Sequence, residues 1–248
     1  MNIAIIGYGN MGREVEKAAL KKNHTIVQKV DPRAQGADTP DISKHSLSQA
    51  DVCIEFTHPD SVVKNIKKVM EIGLPMVVGT TKWFDHLKEI EKLVKEKNGS
   101  VIYAPNFSLG MNIFFKICET AAAVMNYFDD YDPGGFESHH NRKADAPSGT
   151  AKKLSRILTD NLDRKTTPVF HLGDRKIKPE ELHFSSLRTG SIPGTHQIIF
   201  DSDPDTITLT HSARNRQGFA AGALTAAEWI INKKGIYSFD EMMNELIT

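Results

Sequence analysis

Residues 137–151 read Glu-Ser-His-His-Asn-Arg-Lys-Ala-Asp-Ala-Pro-Ser-Gly-Thr-Ala. They gather three kinds of chemistry in one short stretch. Histidine is the side chain suited to exchanging protons near neutral pH, so His139 is a candidate acid or base. Lys143 adds a fixed cation. The Pro147-Ser148-Gly149-Thr150 turn opens a helix expected over Ala151 to Leu162. A helix N-terminus offers unbonded N–H groups and partial positive charge, which suit a carboxylate or phosphate. Ser148 or Thr150 also fits an ordinary N-cap, and both readings stand at this point.

The adjacent histidines do not make a metal chelate. Neighbouring side chains on an extended strand point to opposite faces, so His139 and His140 diverge. No metal is expected. On a strand, His139 and Lys143 share a face.

A second constellation lies at the N-terminus. The apolar run Ile3 to Ile6 is long enough for one buried strand. Gly7-Tyr8-Gly9-Asn10-Met11-Gly12 follows, and Arg13 to Lys22 reads as a helix. This is G-x-G-x-x-G between strand and helix. Gly7 suits a tight turn, Gly9 a close approach to pyrophosphate, and Gly12 close helix packing. A second strand, Thr25 to Val30, ends at Asp31, which is placed to hydrogen-bond an adenosine ribose.

The alternation that positions these groups continues. Strands are expected at Val52–Phe56, Pro75–Val78 and Val101–Tyr103, with helices at Ser61–Ile72 and Asp85–Lys97. Alternating strands and helices predict a Rossmann-type, doubly wound parallel sheet. Ligands of such sheets sit beyond the carboxyl ends of the strands. Gly79-Thr80-Thr81 and Ala104-Pro105-Asn106-Phe107 occupy such ends and are expected to face ribose and nicotinamide.

After a long apolar helix, Leu109 to Asn126, the texture changes. Asp129 to Gly135 reads as a turn cluster. Strands follow at Phe136–Asn141, Phe184–Ser191, His196–Ser202 and Thr206–Ser212. They predict an α+β domain on a mostly antiparallel open sheet. Helices at Phe219–Ile231 and Ser238–Leu246 are expected to return to the first domain. The division is therefore 1–106 with 217–248 for dinucleotide, and 107–216 as an insertion for substrate and oligomerisation. Arg188, Arg214 and Arg216 are candidates to converge with Lys143 on an acidic small molecule.

Bulk properties narrow the class. The 248 residues carry 31 Lys+Arg and 31 Asp+Glu, so no net charge draws nucleic acid or an anionic membrane. Hydrophobic content of 40% and charged content of 25% fit a globular protein. No apolar run reaches transmembrane length, and no signal peptide precedes the first strand. Cys53 and Cys118 lie far apart in apolar runs, as small core residues of a reduced cytoplasmic protein do.

Together these residues resemble the 4-hydroxy-tetrahydrodipicolinate reductase (dihydrodipicolinate reductase) family of bacterial lysine and diaminopimelate synthesis. The signature E-x-H-H-x-x-K-x-D-A-P-S-G-T-A is matched from Glu137 to Ala151. The glycine motif, Gly79-Thr80-Thr81, Asn106-Phe107, Arg188…Gly190…Gly194…His196, His211…Arg216, Phe219…Gly222-Ala223 and Gly235 to Phe239 also match. The resemblance implies that His139 is the general acid and Lys143 the catalytic lysine. It implies that His140, Lys143, Ser148, Gly149 and Thr150 hold a cyclic dicarboxylate, with Arg216 nearby. It further implies NADH or NADPH as reductant, and a homotetramer. Pro32 follows Asp31 where many members carry an arginine for the 2′-phosphate; Arg33 comes one position later, so NADH is the preferred cofactor. Two competing classes are a non-catalytic dinucleotide-binding module, which needs no proton donor, and another Rossmann imine or amino-acid dehydrogenase, which needs no such signature.

Overall fold

Six short strands form one sheet: Asn2–Ile6 (β1), Thr25–Val30 (β2), Val52–Glu55 (β3), Met76–Val78 (β4), Ser100–Tyr103 (β5) and Gly235–Ser238 (β11). Their order is β11-β5-β4-β3-β1-β2, and every neighbouring pair is parallel. Parallel strands must be covered on both faces, and β1 shows how the sequence meets that need. Ile3 and Ile5 enter a core with the helices Asn10–Lys21 (α1), Gln217–Ile230 (α6) and Phe239–Ile247 (α7). Ala4 and Ile6 enter a core with Pro59–Ile72 (α2) and Leu87–Glu96 (α3) on the other face. The period of two along the strand thus divides one apolar run between two hydrophobic layers.

This is a computed structural model that describes residues 1–247. The sheet and its five helices make one compact unit, Met1–Leu109 with the chain from Arg216 onward. The second unit is Gly110–Asn215. It contains most of Leu109–Met125 (α4), all of Gly149–Asn161 (α5), and the strands Asp132–His139 (β6), Thr167–Val169 (β7), Glu181–Arg188 (β8), Thr195–Asp201 (β9) and Thr206–Ser212 (β10).

The second sheet runs β10-β9-β6-β8-β7. It is mixed where a mostly antiparallel sheet was expected. β9 pairs antiparallel with β10 and β6, while β8 pairs parallel with β6 and β7. The helix α5 lies between β6 and β7 in the chain, and a crossover of that kind returns the next strand in the same direction. One face of the sheet packs Leu182, Phe184, Ile198 and Phe200 against α4 and α5.

Two local expectations change. The turn cluster ending at Gly135 lies partly within β6, which begins at Asp132. As the central strand, β6 has ladder partners on both sides, and these outweigh the turn preference of Pro133, Gly134 and Gly135. The strand ends at His139, so Lys143 sits in the following loop and does not share a strand face with it. The strands β7 and β11, of three and four residues, have no periodicity long enough to read from sequence.

Among the described residues, no helix is long and apolar enough to cross a membrane.

Candidate active site

The glycine motif forms the turn from β1 into α1. Gly7 has φ +91° and sits against the backbone of Phe56. Gly12 packs so tightly against the Gly7 carbonyl that any Cβ would overlap it. Gly9 differs: open space surrounds the place where its side chain would be. It is the N-cap of α1 and has no side chain to satisfy the first-turn amides. With Asn10 and Met11 opening the helix, this is a bare amide cradle that fits a pyrophosphate.

Asp31 stands at the end of β2 and is already heavily engaged. Its Oδ2 accepts from the Tyr8 N–H at 2.9 Å, and its Oδ1 from the Arg33 and Ala34 N–H groups at 2.8 and 2.9 Å. Burial pushes the carboxyl up, but these backbone donors outweigh it and hold Asp31 below the usual range. A carboxylate has about four acceptor sites. The remaining one is on Oδ2, enough for one ribose hydroxyl rather than one on each oxygen. An open hollow beside it is walled by Arg33, Gln35, Asp38 and Thr39. The Tyr8 ring is buried, with the Arg13 guanidinium 4.5 Å from its centroid and Lys29 Nζ 5.1 Å away.

The other predicted cofactor residues divide. Gly79, Thr80 and Thr81 follow β4, and Ala104 to Phe107 follow β5, as expected. Several turn inward, however. Thr80 is buried; its hydroxyl accepts from the Thr57 N–H at 2.8 Å and its carbonyl from the Trp83 indole. Ala104 is buried, and the Phe107 ring packs between Phe56 and Phe239. Asn106 Oδ1 accepts from the Ser108 N–H. Thr81, Pro105 and Asn106 keep solvent access. Thr80, Ala104 and Phe107 therefore shape these two loops from within.

In the second unit the signature folds around a carboxylate that spacing alone did not single out. Glu137 is fully buried on β6. Its Oε1 accepts from the Ser148 N–H at 2.9 Å, the Ser186 hydroxyl at 2.8 Å and Arg188 Nη2 at 2.9 Å. Its Oε2 accepts from the Ser148 hydroxyl. His139 Nδ1 stands 3.3 Å and His196 Nε2 3.4 Å from the same oxygen. Burial alone would push Glu137 up; the histidines, Ser148 and Arg188 pull it far below the usual carboxylate range, so it is ionised.

His139 is two residues along the strand from Glu137 and shares its face. His196 meets Glu137 through the β6–β9 register, and His211 meets His196 through β9–β10. Ser186 meets Glu137 through β6–β8. A polar row thus crosses four strands. The His139 and His196 rings make an edge contact, 5.1 Å between centroids. Burial lowers His196 below the usual histidine value; Glu137 opposes this, and the charges of His139 and Lys143 add to it. Glu137, His139 and His196 bring one ligand atom each within 4.8 Å of one another, close enough for a metal ion, but Ser148 already donates to the carboxylate oxygen involved.

Ser148 combines the two readings left open. It is the N-cap of α5, its hydroxyl oxygen accepting from the Ala151 N–H at 3.1 Å. Both its own donors go to Glu137. Ser148 thereby fixes the turn that carries the Gly149 and Thr150 amides. The first-turn amides of Gly149 and Thr150 have no carbonyl one turn back, so they are donors open to an anion. Gly149 is exposed, with open space where its side chain would be.

Lys143 Nζ pairs with Asp145 Oδ1 at 2.7 Å. Burial pushes Asp145 up, but its hydrogen bond and attraction to Lys143 leave it lowered. The His140 N–H donates to the Ile192 carbonyl at 2.8 Å, anchoring the loop after β6. Arg188 does not join Lys143 as an anion ligand: Nη2 is spent on Glu137 and the Asp145 carbonyl, and Nη1 on the Leu187 carbonyl. Arg216 belongs to the first unit, where it is the exposed N-cap position of α6.

Comparison with known proteins agrees along the whole chain. Residues 1–107 match the family model for the N-terminus of dihydrodipicolinate reductase, and residues 110–243 match that for its C-terminus. The 4-hydroxy-tetrahydrodipicolinate reductase of Christiangramia forsetii is 36% identical over 99% of both chains. The Staphylococcus aureus enzyme of that name is 35% identical over 98% of this chain and all of its own. In structure, the dipicolinate-bound dihydrodipicolinate reductase from Paenisporosarcina has the same fold, with a TM-score of 0.77 at 24% identity over 98% of this chain and 99% of that one. With the signature, both halves and full-length relatives in agreement, the chain belongs to the dihydrodipicolinate reductase family.

Proposed function

We propose that the enzyme reduces 4-hydroxy-tetrahydrodipicolinate to tetrahydrodipicolinate, a step of lysine synthesis through diaminopimelate. The observation that carries this reading is the buried His139–Glu137 pair beside the Ser148-capped first turn of α5. Water leaves the substrate to give a conjugated imine; one hydride and one proton then add, and the dinucleotide is oxidised. Bound NAD(P)H supplies the hydride. The Gly7–Gly12 turn cradles its pyrophosphate, Asp31 accepts from its ribose, and Gly79 to Thr81 with Ala104 to Phe107 shape the loops around the rest. His139 donates the proton. Lys143 exchanges Asp145 for a substrate carboxylate, and the Gly149 and Thr150 amides bind the second, with His140 and Arg216 adding donors. Consumption of NADH only when freshly generated synthase product is present is the expected result. Turnover of a different imine dicarboxylate, with none of this one, overturns the assignment.

The cofactor preference is for NADH. An ionised Asp31 repels a 2′-phosphate, and its remaining acceptor site suits a ribose hydroxyl. Arg33 offsets part of that repulsion, so NADPH also serves. We expect kcat/KM to favour NADH. A preference for NADPH of about tenfold, which is 1.4 kcal/mol, would reverse this reading of Asp31.

The working assembly is a homotetramer built through the second unit. β10 is the edge of its sheet, with Thr206, Thr208 and Thr210 exposed on one face and Ile207 39% exposed. Open edges invite pairing, and closed symmetric association covers them. Light scattering at micromolar concentration should give four times the 27.6 kDa chain mass; a monomer mass rules the assembly out. The buried free thiols of Cys53 and Cys118 suit the reducing cytoplasm, where we place the enzyme.

A further inference from the structure

The proton donor and the anion-binding turn converge on one carboxylate, and nothing in the reaction explains that on its own. Glu137 pairs with the Arg188 guanidinium, but neutralising one cation does not account for its other donors. It is fully buried, and it gathers donors from β6, α5, β8 and β9. A buried carboxylate is costly unless each of its acceptor sites is used, so such a group is kept where its geometry is needed.

We propose that Glu137 is the positioning residue of the site: its carboxylate accepts the His139 Nδ1–H, so that the doubly protonated ring gives up its Nε2 proton and is left neutral with the proton on Nδ1. Through Ser148, the same carboxylate also sets the amide-bearing turn of α5. The proposal rests on the reductase reading above for the identity of the proton's destination, not for the pairing itself.

Three observations support it. Glu137 Oε2 lies 3.3 Å from His139 Nδ1, and that buried nitrogen makes no hydrogen bond among the described residues, so the carboxylate is the acceptor within its reach. Gly194 faces the opposite nitrogen, with the position of an added Cβ 3.0 Å from Nε2. The bare glycine therefore leaves room at the nitrogen that must work. Finally, the other three strong donors to Glu137 hold the acceptor still. Arg188 and Ser186 come from β8 and Ser148 from the start of α5, so the carboxylate is held from two sides and cannot follow a histidine that turns away. The charged and titratable groups facing His139 are Glu137 on its own strand, Arg188 on β8, His196 on β9, and Lys143 with Asp145 in the adjoining loop. Only Glu137 offers an acceptor to Nδ1. The logic is that of an acid–base histidine whose tautomer is fixed by a buried acid on its far side.

The decisive measurement uses the unaltered protein. Nitrogen-15 spectra of the histidine side chains over a pH series, with the His139 signals assigned by their loss in His139→Gln, should show that the neutral form of His139 carries its proton on Nδ1. A neutral ring protonated on Nε2 overturns the proposal. In kinetics, Glu137→Gln should lower kcat by up to about 10⁴-fold, with NADH affinity unchanged and with the Nδ1–H form no longer dominant. Glu137→Asp keeps the charge and should recover part of that loss. A Gln variant that folds, keeps the Nδ1–H tautomer and turns over normally also overturns it. If the unaltered enzyme fails to oxidise NADH with the synthase product, the reductase reading fails, while the tautomer still reports on the pair.

Discussion

His139→Gln is expected to lower kcat by about 10²- to 10⁴-fold, the usual cost of losing a positioned acid. Glutamine is close in size and still offers a polar N–H, but an amide does not release its proton. The loss should fall on kcat more than on KM, because the proton moves in the transition state and adds little to ground-state binding. The site favours this outcome: His139 is buried, and its Nδ1 lies against an ionised Glu137. Steady-state rates across a range of substrate concentrations measure both constants. A variant with near-normal kcat would remove His139 from the chemistry and leave the polar row of β6 as a structural feature.

The second large effect is expected from one added methyl group. Gly194 has φ +153°, a conformation that L side chains rarely adopt, and its Cβ would lie 3.0 Å from His139 Nε2 and 3.3 Å from Cδ2. Gly194→Ala must therefore push the imidazole away or shift the turn before β9. The turn is tied by a hydrogen bond from the Ala213 N–H to the Gly194 carbonyl at 2.8 Å, and Glu137 resists movement of the ring on its other side. A displacement of about 1 Å at a reacting group costs on the order of 10²-fold in rate. We expect kcat/KM to fall by about that factor. Calorimetric titration with NADH should give an unchanged Kd, because the glycine motif and Asp31 belong to the first unit. Wild-type turnover in this variant would mean that the ring has another place to work from, or that Nε2 is not the donating atom.

Much of the first unit was legible in its residue order. An apolar run of strand length, three spaced glycines and a terminal acid announce one βαβ start, and each repeat of strand then helix extends the same sheet. Local hydrophobic period decides such elements, and here it was strong. It failed where elements are short or where pairing overrides preference. The strands β7 and β11 hold only three and four residues, and Pro133-Gly134-Gly135 is extended because it lies between two partners. The direction of β8 against β6 was equally hidden, since no local pattern distinguishes a parallel from an antiparallel neighbour.

The signature Glu137 to Ala151 by itself determined the kinds of chemistry present: an acid–base histidine, a cation and a helix start, because these depend on residue types a few positions apart. Only the tertiary structure decided which polar groups are free to act. Asp31 spends three acceptor sites on its own loop, Ser148 spends its donors on Glu137, and Arg188 reaches across 51 residues to the same carboxylate. Hydrogen-bonding capacity is finite, and its allocation depends on which strands pair and in what register. The Glu137–His196–His211 row exists because β6, β9 and β10 align those three residues side by side, a fact carried by backbone pairing between distant segments and by no spacing along the chain.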